Sequence, residues 1–234
     1  SQFFQYLILE DSISNGKGWA TRLFIKYDGL RCLRYFNDKK VVPNENEIDF
    51  SQNFLSSVIY IKGAFVFKMF LEIVRKDNFF RMCSRYLNEY KNKSVVVSDF
   101  IKIVNETMNE DYTNFFETWL YKVGLPLLNV SENYSKDGKI TGVKLTQESS
   151  TGSLYMFKLF IVYGKGRDKI EKKEILIKDK ETVVNCEFDW MIVNDSVESL
   201  CAVIYTNVLI SMLNDARVMG VLSDNDQLLV YLSP

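Results

Sequence analysis

The chain has 234 residues and a formal net charge of −1, and its 47% hydrophobic and 25% charged residues are ordinary proportions for a globular protein. With 29 basic and 30 acidic residues, it has no overall charge that would favour nucleic acid or an anionic membrane. It contains no histidine, which excludes a Ser–His–Asp triad, a Cys–His pair and a histidine-containing zinc site within this chain. No apolar run approaches the roughly 18 residues that a membrane-spanning helix needs.

The first part of the chain, to about residue 126, predicts helices. Residues 61–74 are apolar on almost every side, which indicates a buried helix. A second helical period runs through residues 79–90, and Ser98 is a candidate N-cap for a third helix. A fourth helix is predicted by six apolar residues spaced along one helix face: Tyr112, Phe115, Phe116, Trp119, Leu120 and Val123. Gly124 suits a left-handed helix end, and Pro126 prevents continuation.

The pattern then changes to strands separated by turn residues, up to about residue 206. Alternating or β-branched runs predict strands at 143–147, 154–163, 175–177 and 200–205. Turn signals separate them at 136–139 and 164–167. A run of helices followed by a run of strands predicts an α+β protein made of separate units, rather than one interleaved sheet.

A helical period returns from about residue 207, and Ser223 is a candidate N-cap for a further helix. The chain begins at Ser1 inside an apparent helix and ends at Pro234 just after this last pattern begins. We therefore expect both ends to lie inside a longer polypeptide.

The cysteines are scattered along the chain, at Cys32, Cys83, Cys186 and Cys201. None belongs to a C-x-x-C pair, so a structural zinc site is not expected. Buried free thiols are favoured, and two disulfides stay open as the alternative. Five N-x-S/T sequons give only a weak indication of a secretory route, so the compartment is not predicted.

Four short motifs follow one another in the chain. The first two are Tyr-Asp-Gly-Leu-Arg at 27–31 and a proline-and-acid segment at 43–48. The third is Tyr-x-Lys-Gly-Ala, formed by Tyr60, Lys62, Gly63 and Ala64, and the fourth is Trp-x-x-x-x-Gly-x-Pro, formed by Trp119, Gly124 and Pro126. Their order and the helix-to-strand change resemble the gluzincin zinc aminopeptidases of the aminopeptidase N type, over essentially the whole chain. Residues 190–194 and 203–205 are similar to the last strands of that family's β-sandwich.

The resemblance implies an α+β fold with three parts. Residues 1–126 would form the helical C-terminal lobe of a thermolysin-like catalytic domain. Residues 127–206 would form a small β-sandwich, and residues 207–234 would start a C-terminal helical domain.

The resemblance also implies a reaction, the removal of N-terminal amino acids from peptides. In the family, zinc activates a water and polarises the scissile carbonyl, while the glutamate of H-E-x-x-H takes the proton from the water. The catalytic residue implied here is Tyr60, whose phenol O–H would donate to the oxyanion. Lys62 and Gly63 are expected to fix the start of the helix. The family's zinc ligands lie upstream of Ser1, so we expect this chain to bind no metal and to be inactive alone. Its expected partners are peptide substrates and the missing N-terminal and C-terminal parts of the same protein, and not nucleic acid.

Departures from the family pattern keep alternatives open. Ser56 stands where an acid is common, Ile59 where a small or polar residue is common, and Val123 where proline or glutamine is frequent. The first alternative is a catalytically dead aminopeptidase-like scaffold or interaction protein, which an upstream sequence lacking H-E-x-x-H would favour. The second is an unrelated binding module, in which a helical bundle lies beside a sandwich.

Overall fold

A computed structural model describes residues 3–5, 7–8, 27–29, 31–35, 39–42, 57–166, 169–194 and 199–218. The helices with assigned bounds are α1 (Ser57–Val74), α2 (Lys76–Glu89), α3 (Val97–Met108), α4 (Thr113–Tyr121) and α5 (Asn207–Val218). The strands are β1 (Leu127–Tyr134), β2 (Ile140–Glu148), β3 (Phe157–Lys165), β4 (Lys169–Ile177), β5 (Glu181–Asn185), β6 (Trp190–Val193) and β7 (Ala202–Tyr205). Shorter helical pieces occupy 3–5, 7–8, 27–29 and 31–35. The expected change from helices to strands therefore lies between Tyr121 and Leu127.

Helix α1 lies in the middle of the helical region. Its side chains at Phe65, Val66, Met69 and Phe70 are buried, as the apolar pattern predicts. The helix begins at Ser57, four residues before the predicted start at Ile61. The pattern missed this first turn because Ile59 is only half-buried and Tyr60 is exposed, so the turn does not repeat the apolar face.

Helix α3 corrects the prediction that Ser98 is its N-cap. The N-cap is Val96, and Ser98 lies inside the first turn. The side chain of Asp99 reaches back and accepts a hydrogen bond from the Val96 amide at 3.0 Å. A carboxylate at this position also interacts favourably with the helix dipole, so the turn does not need a serine cap.

The strands form two sheets. One has the order β5–β2–β1–β7 and the other β4–β3–β6. Strands β1 and β7 are parallel, and the remaining pairs are antiparallel. Buried apolar residues of both sheets belong to one core cluster that also includes the helices, with Leu128 and Val143 from the first sheet and Leu159 and Met191 from the second.

Strand β3 starts at Phe157, three residues later than the predicted start at Leu154. The backbone of Tyr155 bonds to the buried side chain of Gln147 instead of a neighbouring strand. Its amide donates to Gln147 Oε1 at 2.6 Å, and its carbonyl accepts from Gln147 Nε2 at 3.1 Å. The alternation of apolar residues gives no sign that a side chain replaces a strand partner in this way, so the sequence pattern could not predict the start of β3.

Trp119 connects the helices to the sheets. It is fully buried, its indole N–H donates to the carbonyl of Met156 at 2.9 Å, and its ring lies 4.6 Å from that of Tyr155. The Tyr155 hydroxyl in turn donates to the carbonyl of Gly124 at 3.1 Å. Gly124 has a φ of +92°, so the left-handed conformation predicted after α4 is confirmed.

An ion pair makes a second connection between the helices and the sheets. Arg75, the single residue between α1 and α2, binds both carboxylate oxygens of Glu174 on β4, at 2.7 and 3.1 Å. Lys158 on β3 also contacts Glu174, at 2.8 Å. The domain boundaries at residues 126 and 206 stay a prediction, and the apolar core runs across both of them.

Several sequence predictions lie outside the described residues: the motif at 43–48, Leu30 of the first motif, Ser56, and the helix after Ser223. All four cysteines are described and all are free thiols, but only Cys32 and Cys201 are buried, whereas Cys83 and Cys186 are half-buried. Among the helices that the structure describes, none combines the length and apolar character of a membrane span.

Candidate active-site tyrosine and its setting

Tyr60 lies in the first turn of α1 with 46% of its side chain exposed. The residues that follow it, Ile61, Lys62 and Ala64, are all buried. Tyr60 is therefore exposed in a turn that leads directly into the buried part of the helix. A phenol O–H can donate a hydrogen bond to a ligand at this surface.

A short segment, residues 39–42, lies against this turn. The ammonium of Lys62 donates to the carbonyl oxygen of Lys39 at 2.8 Å. A Cβ built at Gly63 would lie 3.6 Å from Val41 Cγ1, which is ordinary van der Waals contact. On the other side, the amides of Val41 and Val42 donate to the carbonyl of Leu120 at 3.0 and 2.9 Å.

The segment thus links two motifs that are far apart in sequence. Lys62 belongs to the Tyr-x-Lys-Gly-Ala motif, and Leu120 follows Trp119 in the Trp-x-x-x-x-Gly-x-Pro motif. Both bond to residues 39–42. The expectation that Lys62 fixes the start of α1 stays a prediction. The role of residues 39–42 was missed in the sequence, where the only available signal was a lysine in an apolar run.

Asp28, from the first motif, and Cys32 are buried close to this region. The pKa of Cys32 is raised to about 12, first by burial and then by the charge of Asp28, while the charges of Lys62 and Arg31 oppose the shift. Asp28 and Lys62 therefore both lie near the Cys32 sulfur. Cys32 stays a neutral thiol at physiological pH and does not qualify as a nucleophile.

The residue types present do not fit the zinc centre of the resembled family. The sequence has no histidine, and the described residues hold no group of three or more His, Cys, Asp or Glu side chains placed to bind a metal. No chemical step can therefore be derived from metal ligands of this chain.

The fold is similar to part of a solved aminopeptidase. Aminopeptidase A of Legionella pneumophila, solved in complex with aspartic acid, matches with a TM-score of 0.60 and 16% identity over 89% of this chain and 24% of that one. At this identity the likeness shows the fold alone. The Peptidase family M1 domain matches residues 1–119, just over half of the sequence, so the chain belongs to that family.

Curated relatives agree with this membership. Aminopeptidase 2 of Candida albicans is 24% identical over 191 residues, which are 80% of this chain and 20% of that protein. Glutamyl aminopeptidase of Homo sapiens is 30% identical over 74 residues, 32% of this chain and 8% of that protein. The resemblance seen in the motifs is thus confirmed. The chain spans no more than about a fifth of the length of these relatives.

Proposed function

We propose that this chain is part of a zinc metallo-aminopeptidase that removes N-terminal amino acids from peptides. In this proposal the chain supplies the oxyanion-stabilising Tyr60 but no metal ligands, which would come from elsewhere in the full-length protein. The observation that carries the proposal is the exposed phenol of Tyr60 on a buried helix, within the part of the chain that matches Peptidase family M1.

The role assigned to Tyr60 follows from the charge that develops during peptide hydrolysis. Attack on the scissile carbonyl creates an oxyanion, and a donor already aimed at that oxygen lowers the barrier without reorganising. The backbone that carries Tyr60 is held in place because Ile61 and Lys62, the next two residues of its helix, are buried. Its place in the first turn of α1 also puts it at the positive end of the helix dipole.

The test uses the full-length protein that contains this chain, assayed with an aminoacyl reporter. Tyr60→Phe removes only the phenol oxygen and should lower kcat about 100- to 1000-fold with little change in KM. Tyr134→Phe is the matched control, since Tyr134 is also an exposed tyrosine, at 52%, but lies on the sheet. It should leave kcat unchanged. Equal activity of the two variants would contradict the proposal.

One observation favours the alternative of a catalytically dead scaffold. Ile59, next to Tyr60, departs from the family pattern and is half-buried in the same turn. The test is whether the full-length protein hydrolyses an aminoacyl reporter in a reaction that a chelator abolishes. If it does not, the protein is a catalytically dead scaffold rather than an enzyme. In that case Tyr60→Phe would have no activity to change.

A further inference from the structure

Lys62 is a buried cation in a helix that is otherwise apolar at this level. Its relative exposure is 0%, beside the buried apolar residues Ile61, Phe65 and Val66. Moving an ammonium from water into such surroundings costs free energy that only specific partners recover. A methionine would fill a similar volume without that cost. The contacts of the Lys62 ammonium are therefore the reason for a lysine at this buried position.

The contacts of Lys62 join three separate pieces of chain. Its ammonium is bonded to the carbonyl of Lys39, and residues 39–42 are bonded in turn to Leu120 at the end of α4. Asp28, on the helical piece 27–29, carries the opposite charge and acts on the same buried Cys32 as Lys62 does. The hydrogen bonds thereby join the start of α1, residues 39–42 and the end of α4.

Lys62 cannot itself be the group that meets a substrate. Two residues on, a helix has turned by about 200°, so side chains at i and i+2 point to different sides. Tyr60 is exposed and Lys62 is buried, as this geometry requires. The lysine holds the inner side of the turn whose outer side carries the phenol.

We propose that Lys62 is a positioning residue for Tyr60: its buried hydrogen bond to the Lys39 carbonyl fixes the first turn of α1 and so sets the direction of the phenol O–H. This inference rests on the proposed function, because direction matters only if Tyr60 donates to a reacting group. A displacement of about 1 Å at such a donor can lower a rate about 100-fold.

The kinetic test uses the full-length protein that contains this chain and compares Lys62→Met, Tyr60→Phe and the double variant. Lys62→Met should lower kcat by about 10- to 100-fold with KM little changed. The double variant should match Tyr60→Phe within about 2-fold, since Lys62 acts only through Tyr60. Met69→Ala is the control, because Met69 is equally buried in α1 but lies about two turns further from Tyr60 than Lys62 does. It should lower thermal stability and leave kcat unchanged at temperatures below unfolding.

A second readout does not depend on catalysis. With fluorotyrosine incorporated, the ¹⁹F resonance of Tyr60, assigned by its loss in Tyr60→Phe, should shift or broaden in Lys62→Met and stay in place in Met69→Ala. If Lys62→Met does not fold, Lys62→Gln keeps an N–H donor and should show a smaller change of the same kind.

The outcomes separate the two proposals. An unaltered Tyr60 resonance in Lys62→Met, an unchanged kcat, or losses that multiply in the double variant would overturn the role of Lys62. A full kcat in Tyr60→Phe would instead overturn the proposed function, whatever the resonance shows.

Discussion

Gly124→Ala perturbs the joint between the helices and the sheets. Gly124 has a φ of +92°, where a side chain is strained, and its added Cβ would lie 2.6 Å from Ser150 Oγ. The backbone strain costs about 1–3 kcal/mol, of which the smaller unfolded-state entropy of alanine offsets about 0.4–1 kcal/mol. The contact adds little, because Ser150 is exposed and its hydroxyl can rotate away. We expect a net loss of about 1–2 kcal/mol in the free energy of unfolding.

The assay is urea denaturation of the 234-residue chain, followed by tryptophan fluorescence at 25 °C. With a slope of about 2–3 kcal/mol per M, the expected loss moves the midpoint down by about 0.5 M. Gly138→Ala is the matched control, since Gly138 also has a positive φ, +76°, with nothing within 4 Å of the added Cβ. It measures the backbone cost alone, which we expect to be about 1 kcal/mol.

Ser150→Ala in the Gly124→Ala background separates the two terms. It should recover less than half of the loss, because most of the cost lies in the backbone of Gly124 rather than in the contact. A neutral or stabilising Gly124→Ala beside a destabilising Gly138→Ala would contradict the strain assigned to Gly124. Recovery of nearly the whole loss by Ser150→Ala would show that the contact, and not φ, sets the cost.

Three further predictions concern charge, thiols and the chain by itself. Burial tends to raise the pKa of Glu174, but its hydrogen bonds and ion pairs with two cations outweigh this and lower the pKa below 4.5. The ionised Glu174 therefore stabilises the fold above about pH 4.5, and this stabilisation is lost as the pH falls through its lowered folded-state pKa. Glu174→Gln should accordingly make the free energy of unfolding depend less steeply on pH in the acid range. The half-buried thiols of Cys83 and Cys186 should be alkylated by iodoacetamide before the buried Cys32 and Cys201, as peptide mass spectrometry of a time course would show; the reverse order would contradict the burial pattern. Residues 1–234 alone should neither bind zinc in calorimetry nor hydrolyse an aminoacyl reporter, and chelator-sensitive hydrolysis by this chain would overturn that expectation.

Much of the helical region could be predicted because burial there follows a simple period. Phe115, Phe116 and Trp119 are buried on one face of α4, as their spacing indicates. The start of α1 could not be predicted, because the first turn exposes Tyr60 and so breaks the apolar pattern that defines the rest of the helix. The exposure of Tyr60 and the helical period of apolar residues conflict at that point.

The sheets show a different limit. Alternation located β2, but the start of β3 depends on the buried side chain of Gln147, which takes the place of a strand at Tyr155. The contact between Lys62 and residues 39–42 could not be predicted either. These residues form their hydrogen bonds through backbone atoms, and their sequence carries no sign of this. Long-range bonds between side chains and backbone leave no local pattern to read.

The role of Tyr60 is tested most directly by inhibitor binding to the full-length protein. A phosphinic peptide analogue mimics the tetrahedral intermediate, and a donor that acts on the oxyanion binds such an analogue more strongly than the ground state. Tyr60→Phe should raise the inhibition constant of the analogue about 100-fold or more, in parallel with its loss in kcat/KM, and should hardly change the binding of a product amino acid. Equal weakening of both ligands, or of neither, would contradict the assignment of Tyr60 as the oxyanion donor.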